Sequence, residues 1–131
     1  MIIRPYQDED FDEVIELLKL CKVEPPAEES DFAGLCYVAL DQEKLIGCIW
    51  ALLGVSTQGY VDYFAVHPKY RSQHIGWALL QMMEQSLQKM GIKRFTFFLD
   101  NDDAFLPLVE KYVDEYNLKR LNILHWFRRT F

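Results

Sequence analysis

Val66-His67-Pro68-Lys69-Tyr70-Arg71-Ser72-Gln73-His74-Ile75-Gly76-Trp77-Ala78 is the stretch on which the reading of the fold turns. An apolar strand closes at His67-Pro68, a short polar loop follows, and a helix begins with a small residue in its first turn. The first turn of a helix carries backbone N–H groups that lack intrahelical acceptors, at the positive end of the macrodipole. Such a junction suits phosphate oxygens without needing basic side chains. Arg71 adds a charged donor at the loop mouth, and Gly76 permits a phosphate to approach the backbone. An ordinary strand-to-helix turn with a packing glycine would use the same residues, so the local sequence leaves both readings open.

Downstream, Ile75, Leu79, Leu80, Met83, Leu87 and Met90 recur at helical intervals through residues 71–91, and Gly91 stands where a left-handed cap ends a helix. Residues 92–99, with Phe95, Phe97 and Phe98, read as a buried strand, and residues 100–103 as a turn. Pro107 belongs in the first turn of a last helix reaching about Tyr116. Residues 118–131 alternate apolar and basic side chains and carry Trp126, Phe127 and Phe131, with room for one long strand or two very short ones.

Upstream, residues 60–66 read as a strand and residues 54–59 as a turn. The apolar runs 35–40 and 45–53 flank Asp41-Gln42-Glu43-Lys44 as a hairpin. Residues 2–6 read as a short strand, and Asp10 with Glu13 as a capping box. Phe11, Val14, Ile15, Leu18 and Cys21 form one helical stripe that Pro25 and Pro26 bring to an end. Residues 24–31 serve as a connector or, in an enzyme, as part of a substrate mouth. The order of strand, helix, three strands, helix, strand, helix and strand makes one α/β (α+β) domain over residues 1–131, with a mixed sheet.

The 131 residues are 50% hydrophobic and 26% charged, which excludes disorder, collagen and a coiled-coil rod. Fourteen basic against twenty acidic residues give a net charge of −6, and such a surface repels nucleic acid. Cys21, Cys36 and Cys48 lie in or beside apolar runs without paired spacing, against a disulfide framework or a zinc site. His67, His74 and His125 are scattered, so no metal is expected. The opening Met1-Ile2-Ile3-Arg4-Pro5 is neither a signal peptide nor a membrane span, and a cytoplasmic protein is the expectation.

Several pieces in order resemble the GNAT superfamily of acyl-CoA-dependent N-acetyltransferases. Ile2-Ile3-Arg4-Pro5 with Asp10 is similar to the family's first strand and helix start, and Leu40-Asp41-Gln42-Glu43-Lys44-Leu45-Ile46-Gly47 to its second hairpin. Tyr63-Phe64-Ala65-Val66-His67-Pro68-Lys69-Tyr70-Arg71 resembles the strand and loop leading to its pyrophosphate site. The central motif, Arg or Gln, two residues, Gly, one residue, then Gly or Ala, falls on Arg71 to Gly76, with His74 where the first glycine is expected. If φ is positive there, His costs about 1 kcal/mol relative to Gly. The imidazole would either be tolerated or give the diphosphate an extra donor.

The resemblance implies a mixed sheet of about six strands, splayed between the fourth and fifth, that binds acetyl-CoA as cosubstrate. The diphosphate would meet the amides of Arg71, Ser72, Gln73, His74, Ile75, Gly76 and Trp77. Pantetheine would add to the main chain of Phe64 and Val66 like an extra strand. Asn101, with Ala104 three residues on, would approach the pantetheine, unless it is only a turn-forming residue among aspartates. Asp62 is the best placed carboxylate for the base, on the side of Phe64 by strand alternation. The family's acid is a tyrosine four residues after that Ala, a position that here is Leu108, and Tyr112 lies one helical turn further on. No Cys sits beside an activating His, so an unidentified amine would attack the thioester directly in a ternary complex. Loss of the tyrosine favours an alternative, a catalytically weak acyl-CoA-binding module that regulates a partner protein. The C-terminal aromatics either fill the core or pair with a second subunit, and Trp50, Phe95 and Phe97 read as core.

Overall fold

The computed structural model describes residues 1–26, 34–53, 58–71, 73–98, 106–111, 118–120 and 126–130. The strands are β1 (Ile2–Pro5), β2 (Leu35–Asp41), β3 (Lys44–Leu53), β4 (Gln58–Val66), β5 (Arg94–Phe98), β6 (Leu118–Arg120) and β7 (Trp126–Thr130). The helices are α1 (Phe11–Leu20), α2 (Ile75–Lys89) and α3 (Leu106–Lys111). One mixed sheet runs in the order β1-β2-β3-β4-β5-β7-β6, antiparallel throughout except between β4 and β5. The α/β class expected from the sequence is therefore found, with seven strands among the described residues instead of about six. The C-terminal stretch resolves as two short strands, and β7 inserts between β5 and β6.

The two long helices cover opposite faces of the sheet. Leu79, Leu80, Met83 and Leu87 of α2 pack with Ile49, Ala51, Val61, Phe95 and Phe97, together with Leu106 and Val109 of α3. Val14, Leu17 and Leu18 of α1 pack with Val38, Leu45, Cys48 and Ala65. Adjacent residues such as Cys48 and Ile49 enter different clusters because strand side chains alternate between faces. Trp50, Phe95 and Phe97 are buried core, as expected.

Local chemistry sets the ends of these elements. The hairpin turn between β2 and β3 places Gln42 at φ 48° and Glu43 at φ 71°, the two positive values that a two-residue turn needs to match the strand twist. After α2, Gly91 at φ 80° donates to Gln88 O (3.0 Å) and Ile92 N–H to Leu87 O (2.9 Å), which satisfies the last carbonyls. Asp10 does not cap α1 with Glu13 as the sequence suggests, since its side chain makes no cap hydrogen bond there. Its carboxylate instead accepts Gln7 N–H (2.8 Å) and both Arg4 guanidinium nitrogens (2.7 and 2.8 Å), tying β1 to the helix start.

Candidate active site

Among the described residues β4 and β5 pair from Gln58↔Arg94 to Val61↔Phe97, while β4 continues to Val66. The splay that the sequence suggested is therefore present, opening just past Val61. Its local cause lies on the other edge of β4. There Trp50 faces Tyr63 and Ala51 faces Val61, so Asp62 is an extra residue without a partner across the ladder. A bulge of this kind bends its strand and raises the local twist. It also breaks the alternation used to place Asp62 beside Phe64, because Val61 and Phe64 both pack on the α2 face. Asp62 is exposed at the bulge.

Beyond the bulge, His67 N–H donates to Ile46 O of β3 at 2.7 Å. In a planar trans peptide the preceding carbonyl points the opposite way, so Val66 C=O faces the edge that β5 has left. Phe64, two residues earlier, presents its main chain to the same edge. A short turn over Pro68–Tyr70 follows, in which Lys69 N–H donates to His67 Nδ1 (3.1 Å) and so places the ring proton on Nε2. Burial, then the charges of Lys44, Lys69 and Arg71, lower the His67 pKa. Within an acidic chain, these cations gather around His67.

His74 adopts the left-handed conformation at φ 60°, ψ 17° and stands immediately before α2, where its carbonyl takes the first helical bond from Ala78 N–H (3.0 Å). The backbone thus keeps a conformation that favours glycine even though a histidine occupies it. Ile75 and Trp77 are buried at 3% and 8% exposure, so they can meet a ligand only through the main chain, whereas Gln73 and His74 are exposed.

Arg71 departs from the expected donor at the loop mouth. Its Nε donates to Val66 O (3.3 Å) and its second guanidinium nitrogen lies 3.8 Å from Cys21 Sγ. Cys21 itself donates to Val66 O at 3.4 Å. No local signal marks this role, because Cys21 reads as the last member of an apolar stripe and lies 45 residues from its acceptor. Ser72, Asn101 and Tyr112 lie outside the described residues, as does the side chain of Leu108. Among the described residues no group of His, Cys, Asp and Glu could hold a metal ion, and no helix is long and apolar enough to cross a membrane.

Known proteins share this architecture. The ribosomal-protein-S18-alanine N-acetyltransferase of Escherichia coli superposes with a TM-score of 0.80 at 14% identity, covering 98% of this chain and 92% of that one. The PaiA N-acetyltransferase of Thermoplasma acidophilum, solved with coenzyme A, gives a TM-score of 0.77 at 15% identity over 99% and 98% of the two chains. In sequence, the acetyltransferase SG1711 of Sodalis glossinidius (strain morsitans) is 28% identical over 121 residues, or 85% of this chain and 84% of that protein. The Acetyltransferase (GNAT) family matches residues 3–113, a span that takes in most of β1, the Asp62 bulge, the start of α2 and α3. On that match the chain belongs to the GNAT acetyltransferase family.

Proposed function

We propose that the chain transfers the acetyl group of acetyl-CoA to a primary amine by direct attack in a ternary complex. The observation that carries this reading is the departure of β5 from β4 after Val61, which opens a main-chain edge leading into the start of α2. An extended pantetheine arm can add to such an edge as a strand does, while the helix start receives the diphosphate. Family membership and the coenzyme A held by the Thermoplasma acidophilum relative support the same cosubstrate.

Aminolysis of a thioester requires a neutral amine, a polarised carbonyl and a proton for the leaving thiolate. Main-chain N–H groups near Val66 would polarise the carbonyl. Asp62, exposed at the bulge, would take the ammonium proton through a water, and Tyr112 would return a proton to the sulfur. Asn101 would contact pantetheine, and Ser72, Gln73, His74, Ile75, Gly76 and Trp77 would present amides to the diphosphate. The reaction needs no metal. The acceptor belongs to the broad class of amines used by GNAT enzymes, which in solved relatives extends from a ribosomal protein alanine to an aminoglycoside.

A thiol-release assay with acetyl-CoA and a panel of peptide amines, polyamines and aminoglycosides tests the reading. Turnover on at least one acceptor is expected, with Asp62→Asn lowering kcat about 100-fold while the Kd for CoA stays unchanged. Tight CoA binding without release on any acceptor would instead identify a binding module.

A further inference from the structure

We propose that Arg71 and Cys21 are positioning residues for the cosubstrate, acting through the carbonyl of Val66. This assignment rests on the acetyl-CoA reading above and adds to it the residues that set where the arm lies. The Val66 carbonyl points to the open edge of β4, because the following N–H is committed to Ile46 O at 2.7 Å. A carbonyl oxygen has two acceptor lone pairs. Here one donor is Arg71 Nε at 3.3 Å and the other is the Cys21 thiol at 3.4 Å. The two donors also touch one another, with 3.8 Å between the Arg71 guanidinium and Cys21 Sγ.

The donors come from parts of the chain 50 residues apart. Cys21 directly follows α1 and packs with its cluster, while Arg71 sits on the loop into α2. With both lone pairs taken, the carbonyl is closed to a pantetheine amide, and Val66 meets the arm through its N–H. Main-chain groups on one strand edge recur every second residue, roughly 6–7 Å apart. Closing one acceptor therefore selects the register of the added arm, and a slip to the next position would carry the thioester away from the bulge at Asp62. Arg71 accordingly organises the end of β4 and is not a phosphate ligand.

Titration calorimetry with two ligands tests this. One is CoA and the other is adenosine 3′-phosphate 5′-diphosphate, which keeps the nucleotide and lacks the arm. Arg71→Met and Cys21→Ala are each expected to weaken CoA about fivefold, because a carbonyl that has lost a donor no longer fixes the register of the arm, and to leave the nucleotide within twofold. Cys21→Ser retains a donor and is expected to restore CoA affinity, and ligand-free melting curves show that each variant folds. Equal weakening of both ligands by Arg71→Met would make Arg71 a phosphate ligand and overturn the assignment. Unchanged CoA affinity in both variants would overturn it as well. Wild-type protein that binds neither ligand would instead overturn the acetyl-CoA reading, and this assignment with it.

Discussion

Two residues show how a single side chain holds a conformation that its neighbours require. His74 stands at φ 60°, where an L-residue with a Cβ costs about 1 kcal/mol. His74→Gly removes that cost but also frees the unfolded chain, so the expected net gain is about 0.5 kcal/mol, or roughly 2 °C in Tm. A scanning calorimetry trace without ligand measures it, and an unchanged or lower Tm would contradict the strain argument. Asp10 behaves differently. Its hydrogen bonds to Arg4, then to Gln7, hold the carboxyl below the usual carboxylate range despite its burial. A group with a lowered folded pKa adds stability above its unfolded value near 3.9, and that stability is lost as pH falls through the folded value. Asp10→Asn is expected to cost about 2 kcal/mol at pH 7, and the gap to wild type should shrink below about pH 4. Urea titrations at pH 7 and pH 3 would show this.

At the scale of elements, β3 decides where α2 lies. A Cβ on Gly47 would come within 3.1 Å of Leu79 Cδ1, and 3.4 Å of both Ala65 O and Ile75 Cγ2. The missing side chain lets the first turns of α2 rest on the sheet. Gly47→Val is expected to cost about 2 kcal/mol through overpacking, read from the urea midpoint. A midpoint equal to that of wild type would mean that α2 is not seated by this contact. The sequence placed the hairpin, α1 and α2 well, because their apolar spacing and turn residues are local signals. It did not place the bulge at Asp62, since no motif in residues 60–66 marks where the β3 and β4 registers shift.

For the whole molecule, binding should register as stability. A ligand present at 100 times its Kd adds about 2.7 kcal/mol to a folded protein that alone binds it. Saturating CoA is therefore expected to raise the Tm of the wild type, and Gly76→Glu to abolish that rise by placing bulk and negative charge at the phosphate cradle. A Gly76→Glu protein that folds and is stabilised as much as wild type would remove α2 from the binding site. The net charge of −6 does not by itself oppose a polyanionic cosubstrate, because Lys44 and Lys69 lie beside His67 at the loop.

By itself the sequence determined the α/β order, the two long helices, the hairpin across Asp41-Gln42-Glu43-Lys44 and the cap at Gly91. Each of these is written in side chains only a few positions apart. Only the tertiary structure decided that Asp62 bulges, that the C-terminal stretch divides into β6 and β7, and that Cys21 and Arg71 converge on Val66. Those features depend on register between strands and on contacts up to 50 residues apart, which local periodicity does not encode.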